Sequence, residues 1–136
     1  MTRREAREQA FALLFEKTFH DAPVVELAND AMEARDIPAS DFAMMLAVGV
    51  EQHIEELDAK IAAYSQKWDT TRMSRVALSV MRLALYEMLY EESIPVSVSI
   101  NEAVELAKKY GGAEDAPFIN GILGTASRQE QTIGEL

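Results

Sequence analysis

Residues 72–91 read RMSRVALSVMRLALYEMLYE. Val76, Ala77, Val80, Met81, Ala84, Leu85 and Met88 put apolar side chains around most of a helical circumference, and a helix dressed in that way needs neighbours on several sides. The segment therefore belongs at the centre of a helical bundle. Its one polar strip is Arg72, Arg75, Ser79 and Arg82, which fall within about 80° of one another at 3.6 residues per turn. Arg82, the deepest of them, is predicted to pair with a carboxylate, Glu102 or Glu105.

Outward from this segment the chain divides into further helices. Residues 3–19 repeat Ala6, Ala10, Phe11, Leu13 and Leu14 along one face, then stop at His20-Asp21-Ala22-Pro23. Pro23 fits the first turn of a helix reaching about Arg35, and Asp36-Ile37-Pro38-Ala39 breaks it. Ser40 and Asp41 are N-cap candidates for a long helix to about Gln66, in which Gly49 allows a close backbone approach. Beyond Ile94-Pro95, the spacing of Ser99 and Glu102 predicts a capping box that opens a helix ending at Tyr110. Gly111-Gly112 is expected to stop it through a positive φ. A last helix starts near Asp115-Ala116-Pro117, carries Phe118, Ile122, Leu123 and Ala126 inward, and frays beyond Arg128. No stretch alternates long enough to require a strand. The expected fold class is all-α: one compact domain of six to seven helices over residues 1–136, with subdomains at about 1–66 and 67–136.

The 136 residues are 49% apolar and 26% charged and include no cysteine. A chain of this length can build a core without disulfides or a structural metal. No apolar run approaches the roughly 20 residues that cross a bilayer, and the N-terminus has no secretory core, so a soluble, cytoplasmic protein is expected. With 13 basic and 23 acidic side chains the net charge is -10. Most of the surface then repels phosphate. Two segments escape that background: residues 1–17, with four basic and three acidic groups, and 65–82, with four and one.

Catalysis finds little support. Neither His20 nor His53 has a second ligand at metal spacing, and no glycine-rich phosphate loop follows a strand. Glu55-Glu56 and Glu91-Glu92 read as solvated charge. The expectation is a protein that is not an enzyme and takes neither cofactor nor metal.

The first helix breaks a local rule, because Arg3, Arg4 and Arg7 crowd an N-terminus whose dipole disfavours cations. Arg3 and Arg7 continue the line of Ala10 and Leu14 past the core, so they are expected to project as a basic end suited to phosphate oxygens. An ordinary solvated terminus with surface pairs among Glu5, Arg7 and Glu8 is the plainer account. Trp68 reads as a plug between the two halves. Tyr110, the last residue of its helix, can offer its ring to a base.

Several strings together resemble one family, the NusB transcription antitermination factors. They are Arg3 to Ala10 with Leu13-Leu14-Phe15, Trp68 with Arg72, Met81 to Met88, Ile94-Pro95-Val96, Ile100 to Gly111, and Phe118 to Leu123. The resemblance implies two packed three-helix bundles and a non-catalytic role. Family members bind the boxA RNA of ribosomal RNA leader transcripts together with NusE, the small-subunit ribosomal protein, and so help assemble an antitermination complex on RNA polymerase. Carried over position by position, the RNA side would use Arg3, Arg4, Arg7, Arg75, Tyr110, Asp115 and Phe118. Leu78 stands where many relatives carry a cation, which together with the short N-terminal arm implies weak RNA binding without NusE. The acidic remainder suits a basic partner.

Two other readings fit the same residues. One is a homodimeric or protein-binding helical module that buries the arginine surface. The other is an RNA-binding accessory module of a ribosomal RNA methyltransferase; the helical fold is there followed by a large α/β domain, for which a chain ending at Leu136 leaves no room.

Overall fold

The computed structural model describes the backbone of residues 2–35, 40–68 and 73–135 and the side chains of 2–31, 40–68 and 73–130. Arg72 and the expected break at 36–39 lie outside the described residues. Seven helices and no strand occur among the described residues: α1 (Arg3–Lys17), α2 (Val24–Arg35), α3 (Asp41–Gln52), α4 (Ile54–Tyr64), α5 (Arg75–Tyr90), α6 (Val96–Tyr110) and α7 (Asp115–Glu135). None is long and apolar enough to cross a membrane.

Helix α5 is the axle. It packs against α1, α3, α4, α6 and α7, and Val80, Met81, Leu83 and Leu85 are excluded from solvent. Burying that many aliphatic side chains contributes roughly 1.5–3 kcal/mol each before chain entropy is charged against it. Ser74 caps α5, its Oγ accepting from the Ala77 amide at 2.9 Å. Helix α1 lies against α2, α3 and α5, while α4 packs on α5 and α7.

Three boundaries differ from the sequence reading. The long third helix is two, because His53 leaves helical geometry (φ -114°, ψ 18°) and its amide is shared between the carbonyls of Gly49 and Val50. The His53 ring stacks on Tyr90 at 4.4 Å. Gly49 does serve a close approach, but to a side chain: a Cβ there would lie 2.2 Å from Tyr86 Cζ.

Helix α6 begins three residues earlier than the expected capping box, at Val96, with Pro95 in the N-cap position. The Ser99 and Glu102 side chains are committed elsewhere, as described below. Gly111 stops α6 with extended backbone (φ -101°, ψ -174°) and not with a positive φ. What excludes larger residues there is crowding, since a Cβ would sit 2.5 Å from Asp115 Oδ2 and 2.8 Å from the Ala107 carbonyl. Helix α7 runs past Arg128 to Glu135.

Candidate nucleic-acid interface

The start of α1 is built by Thr2, whose Oγ1 accepts from the Glu5 amide at 3.1 Å and so satisfies one of the free N–H groups of the first turn. From that cap three arginines leave in three directions. Arg3 is exposed and lies over the Phe42 ring at 3.7 Å, a cation–π contact to α3. Arg4 reaches α6, where Nε and a terminal NH2 both donate to the Glu102 carboxylate at 3.1 Å; this hydrogen bond and charge raise the Arg4 pKa above its ordinary value.

Arg7 turns inward. Its side chain is 6% exposed, and it donates from Nε and NH2 to the Glu87 carboxylate of α5 at 2.9–3.1 Å. Ser99 Oγ of α6 donates to the same carboxylate at 3.2 Å. The expectation that Arg3, Arg4 and Arg7 project together as one basic tip is therefore corrected. Arg7 belongs to the interior because its helical line continues the apolar stripe into the contact with α5, and Glu87 meets it there.

Along the flank of α1 the charges alternate. Glu8 accepts from Lys109 Nζ at 2.8 Å and from the Tyr110 hydroxyl at 3.1 Å, and the Lys109 hydrogen bond is the main reason its carboxyl is held below the ordinary range. Tyr110 ends α6 as expected and is 45% exposed, with its ring stacked on Phe11 at 5.1 Å. The rings continue down α1 from Phe11 to Phe15 and to the exposed Phe19, at centroid separations of 5.9 and 5.3 Å.

At the far end of that row stands Arg75, its guanidinium 4.4 Å over Phe19 and also bonded to the Thr18 carbonyl. Fifteen residues of α1 at 1.5 Å each separate Arg3 from this end by about 20 Å. Asp115 links the elements here: Oδ2 accepts from the Gly112 amide at 2.9 Å and from Ser74 Oγ at 3.2 Å, tying the α6–α7 turn to the cap of α5. Arg3 and Arg4 at one end and Arg75 at the other thus bracket a strip along α1, whose rings run from the buried Phe11 through the partly buried Phe15 to the exposed Phe19.

The remaining expected residues pack against neighbouring elements. Phe118 packs against the core and meets Trp68 edge-on at 5.4 Å. Trp68 is 40% exposed; it lies so close to Gly121 that a Cβ there would fall 2.4 Å from its ring. Arg82 does pair with a carboxylate, but the partner is Asp58 of α4, at 2.8 Å through both Nε and NH2, and neither Glu102 nor Glu105. The polar strip read on α5 is accordingly split, Arg75 facing the end of α1 and Arg82 facing α4. Among the described residues no cluster of His, Asp and Glu is arranged to hold a metal ion.

Residues 4–128 match the model of the NusB family. The transcription antitermination protein NusB of Agathobacter rectalis is 44% identical over 127 residues, covering 90% of this chain and 97% of that protein. The chain belongs to the NusB family. A NusB of Clostridium botulinum (strain Loch Maree) is 38% identical over 91% of this chain and 98% of its own. Among solved structures, T. maritima NusB superposes with a TM-score of 0.80 at 36% identity, covering 91% of this chain and 89% of that one. The antitermination factor NusB crystallised with NusE and double-stranded RNA gives a TM-score of 0.78 at 27% identity over 90% and 92% of the two chains. The all-helical fold expected from the sequence is the fold of these NusB structures.

Sequence reasoning missed three residues: Glu87 behind the strip, and Lys109 and Phe19 in it. Glu87 is a lone carboxylate on the core stripe that Val80 and Leu83 begin, and that position was the signal. Lys109 and Phe19 carry no such mark, since each is defined by a neighbour on another helix.

Proposed function

We propose that this protein is a non-catalytic, cytoplasmic transcription antitermination factor. It binds boxA-type RNA of ribosomal RNA leader transcripts together with NusE, the small-subunit ribosomal protein, and contributes to an antitermination complex on RNA polymerase. The observation that carries this reading is the likeness, over nine tenths of both chains, to the NusB crystallised with NusE and RNA.

The geometry supports a division of labour. Arg3, Arg4 and Arg75 offer cationic groups to backbone phosphates at the two ends of the strip, and Tyr110 presents a half-exposed ring to a base. Asp115 and Phe118 act from behind, by fixing the α6–α7 turn and its seat on Trp68. Arg7 holds α1 in register from inside. A net charge of -10 leaves the remaining surface suited to a basic ribosomal protein, and it discourages RNA from binding elsewhere.

The test is fluorescence anisotropy of a labelled boxA RNA titrated with this protein, with the NusE homologue, and with the equimolar pair. The pair is expected to bind more tightly than either alone, with affinity falling steeply as salt is raised. A duplex of the same sequence, run alongside, separates readout of a single strand from recognition of a helix. No binding by the pair at low salt overturns the proposal.

A further inference from the structure

The seam between α1 and α6 is an open groove with a volume of about 380 Å³, lined by Arg4, Glu8, Glu102, Glu105, Lys108 and Lys109. Each of its three cations is paired with a carboxylate: Arg4 is hydrogen-bonded to Glu102 at 3.1 Å and Lys109 to Glu8 at 2.8 Å, while Lys108 lies 3.6 Å from Glu105 in an ion pair without a hydrogen bond. The cationic partners are more than half exposed, at 57–61% of their side-chain surface. Ion pairs this exposed are individually weak and exchange readily for another anion. Several phosphates carried on one chain compete with these separate carboxylates by multivalency, because binding of the first raises the effective concentration of the next.

We propose that this groove is a phosphate-exchange site for the RNA backbone, in which Arg4 and Lys109 are handed from Glu102 and Glu8 to phosphate oxygens. Lys109 thereby joins the RNA interface. Glu8 and Glu102 are its built-in competitors: they hold the cations in place in the free protein and set a threshold that an isolated phosphate does not clear. Once the cations leave, both carboxylates face the incoming strand and weaken its grip. RNA remains bound only where contacts beyond the groove, such as a ring stacked on Tyr110, add to the exchange. The inference rests on the RNA-binding reading above, and its test separates the two.

The experiment measures affinity of the full chain with its NusE homologue for the labelled boxA RNA, comparing Glu8→Gln, Glu102→Gln, Lys109→Ala and Arg4→Ala with wild type. Glu55→Gln, in the first turn of α4, makes the same charge change in a helix that packs on α5 and α7 and serves as the control for long-range electrostatics. Glu8→Gln and Glu102→Gln are each expected to tighten binding by roughly two- to fivefold over the control, and Lys109→Ala to weaken it. A thermal melt of each variant confirms that it is folded. If the two glutamine variants bind no better than Glu55→Gln while Arg4→Ala still loses affinity, the exchange is wrong and the RNA strip stands. If Arg4→Ala and Lys109→Ala both bind like wild type, the groove takes no RNA at all and both readings of this end fail.

Discussion

Arg7 and Glu87 form a bidentate ion pair almost wholly out of solvent, 6% and 2% exposed, that joins the first turns of α1 to the last turns of α5 across 80 residues of sequence. Ser99 adds a further hydrogen bond from α6, and among the described residues no buried side-chain polar atom lacks a partner. The pair fixes the axial position of α1, and with it the places from which Arg3 and Arg4 leave the helix.

Removing one partner strands a buried charge. Arg7→Met or Glu87→Met alone is expected to cost about 3–5 kcal/mol in urea unfolding, whereas the double methionine variant recovers most of that loss. Equal costs for the double and the sum of the singles would show that the two groups are not coupled. Loss of RNA binding in Arg7→Ala is expected to track loss of folded protein.

Gly49 sits where Tyr86 occupies the space of a side chain. Alanine is the better helix former by about 1 kcal/mol, yet Gly49→Ala is expected to destabilise by about 1–3 kcal/mol through overpacking. Shortening the ring with Tyr86→Val should shrink the penalty, as measured by a double-mutant cycle in chemical denaturation.

Two carboxylates report on acid stability. Glu8 is held low chiefly by the Lys109 hydrogen bond. At Glu130 burial pushes the other way, but the bonds from Lys60 and Tyr64 outweigh it and its pKa is also lowered. A depressed carboxyl contributes stability that is complete above its unfolded pKa, near 4.5, and is lost as pH falls through the folded value. Thermal melts from neutral pH downward should therefore lose stability below about that pH, and Glu8→Gln with Glu130→Gln should flatten the acid limb.

At the alkaline end Tyr90 is pushed up to about 12, first by its hydrogen bond to Glu56 at 2.5 Å and then by burial. A raised phenol contributes stability that is complete below its ordinary pKa near 10 and disappears as pH rises toward the folded value. Ultraviolet titration of the tyrosinate should find it late, and Glu56→Gln should bring one tyrosine back toward 10. An unchanged titration in that variant would mean that the bond is not made in solution.

The helices were legible because their signals are local: apolar periodicity along α1, α5 and α7, proline and glycine at the breaks, and Ser40 as a cap. Partner choice was not. Ser99 and Glu102 have the spacing of a capping box, but a buried arginine and an exposed one on α1 claim their neighbourhood, and no rule of local spacing anticipates contacts across 80 or 98 residues. The same holds for Arg82, whose carboxylate lies on α4 and not on α6. The break at His53 escaped notice because the apolar stripe runs unbroken through it, from Val50 to Ile54 and Leu57.

In the proposed function, RNA lies along α1 and the α6–α7 turn, between Arg3 and Arg75. Amide chemical-shift mapping of the isotopically labelled protein, in complex with the NusE homologue and titrated with boxA RNA, tests it directly. Shifts caused by RNA are expected to concentrate in residues 2–19, 105–118 and the first turn of α5. Shifts concentrated instead around His53 and Tyr90, with the α1 strip unmoved, would contradict it.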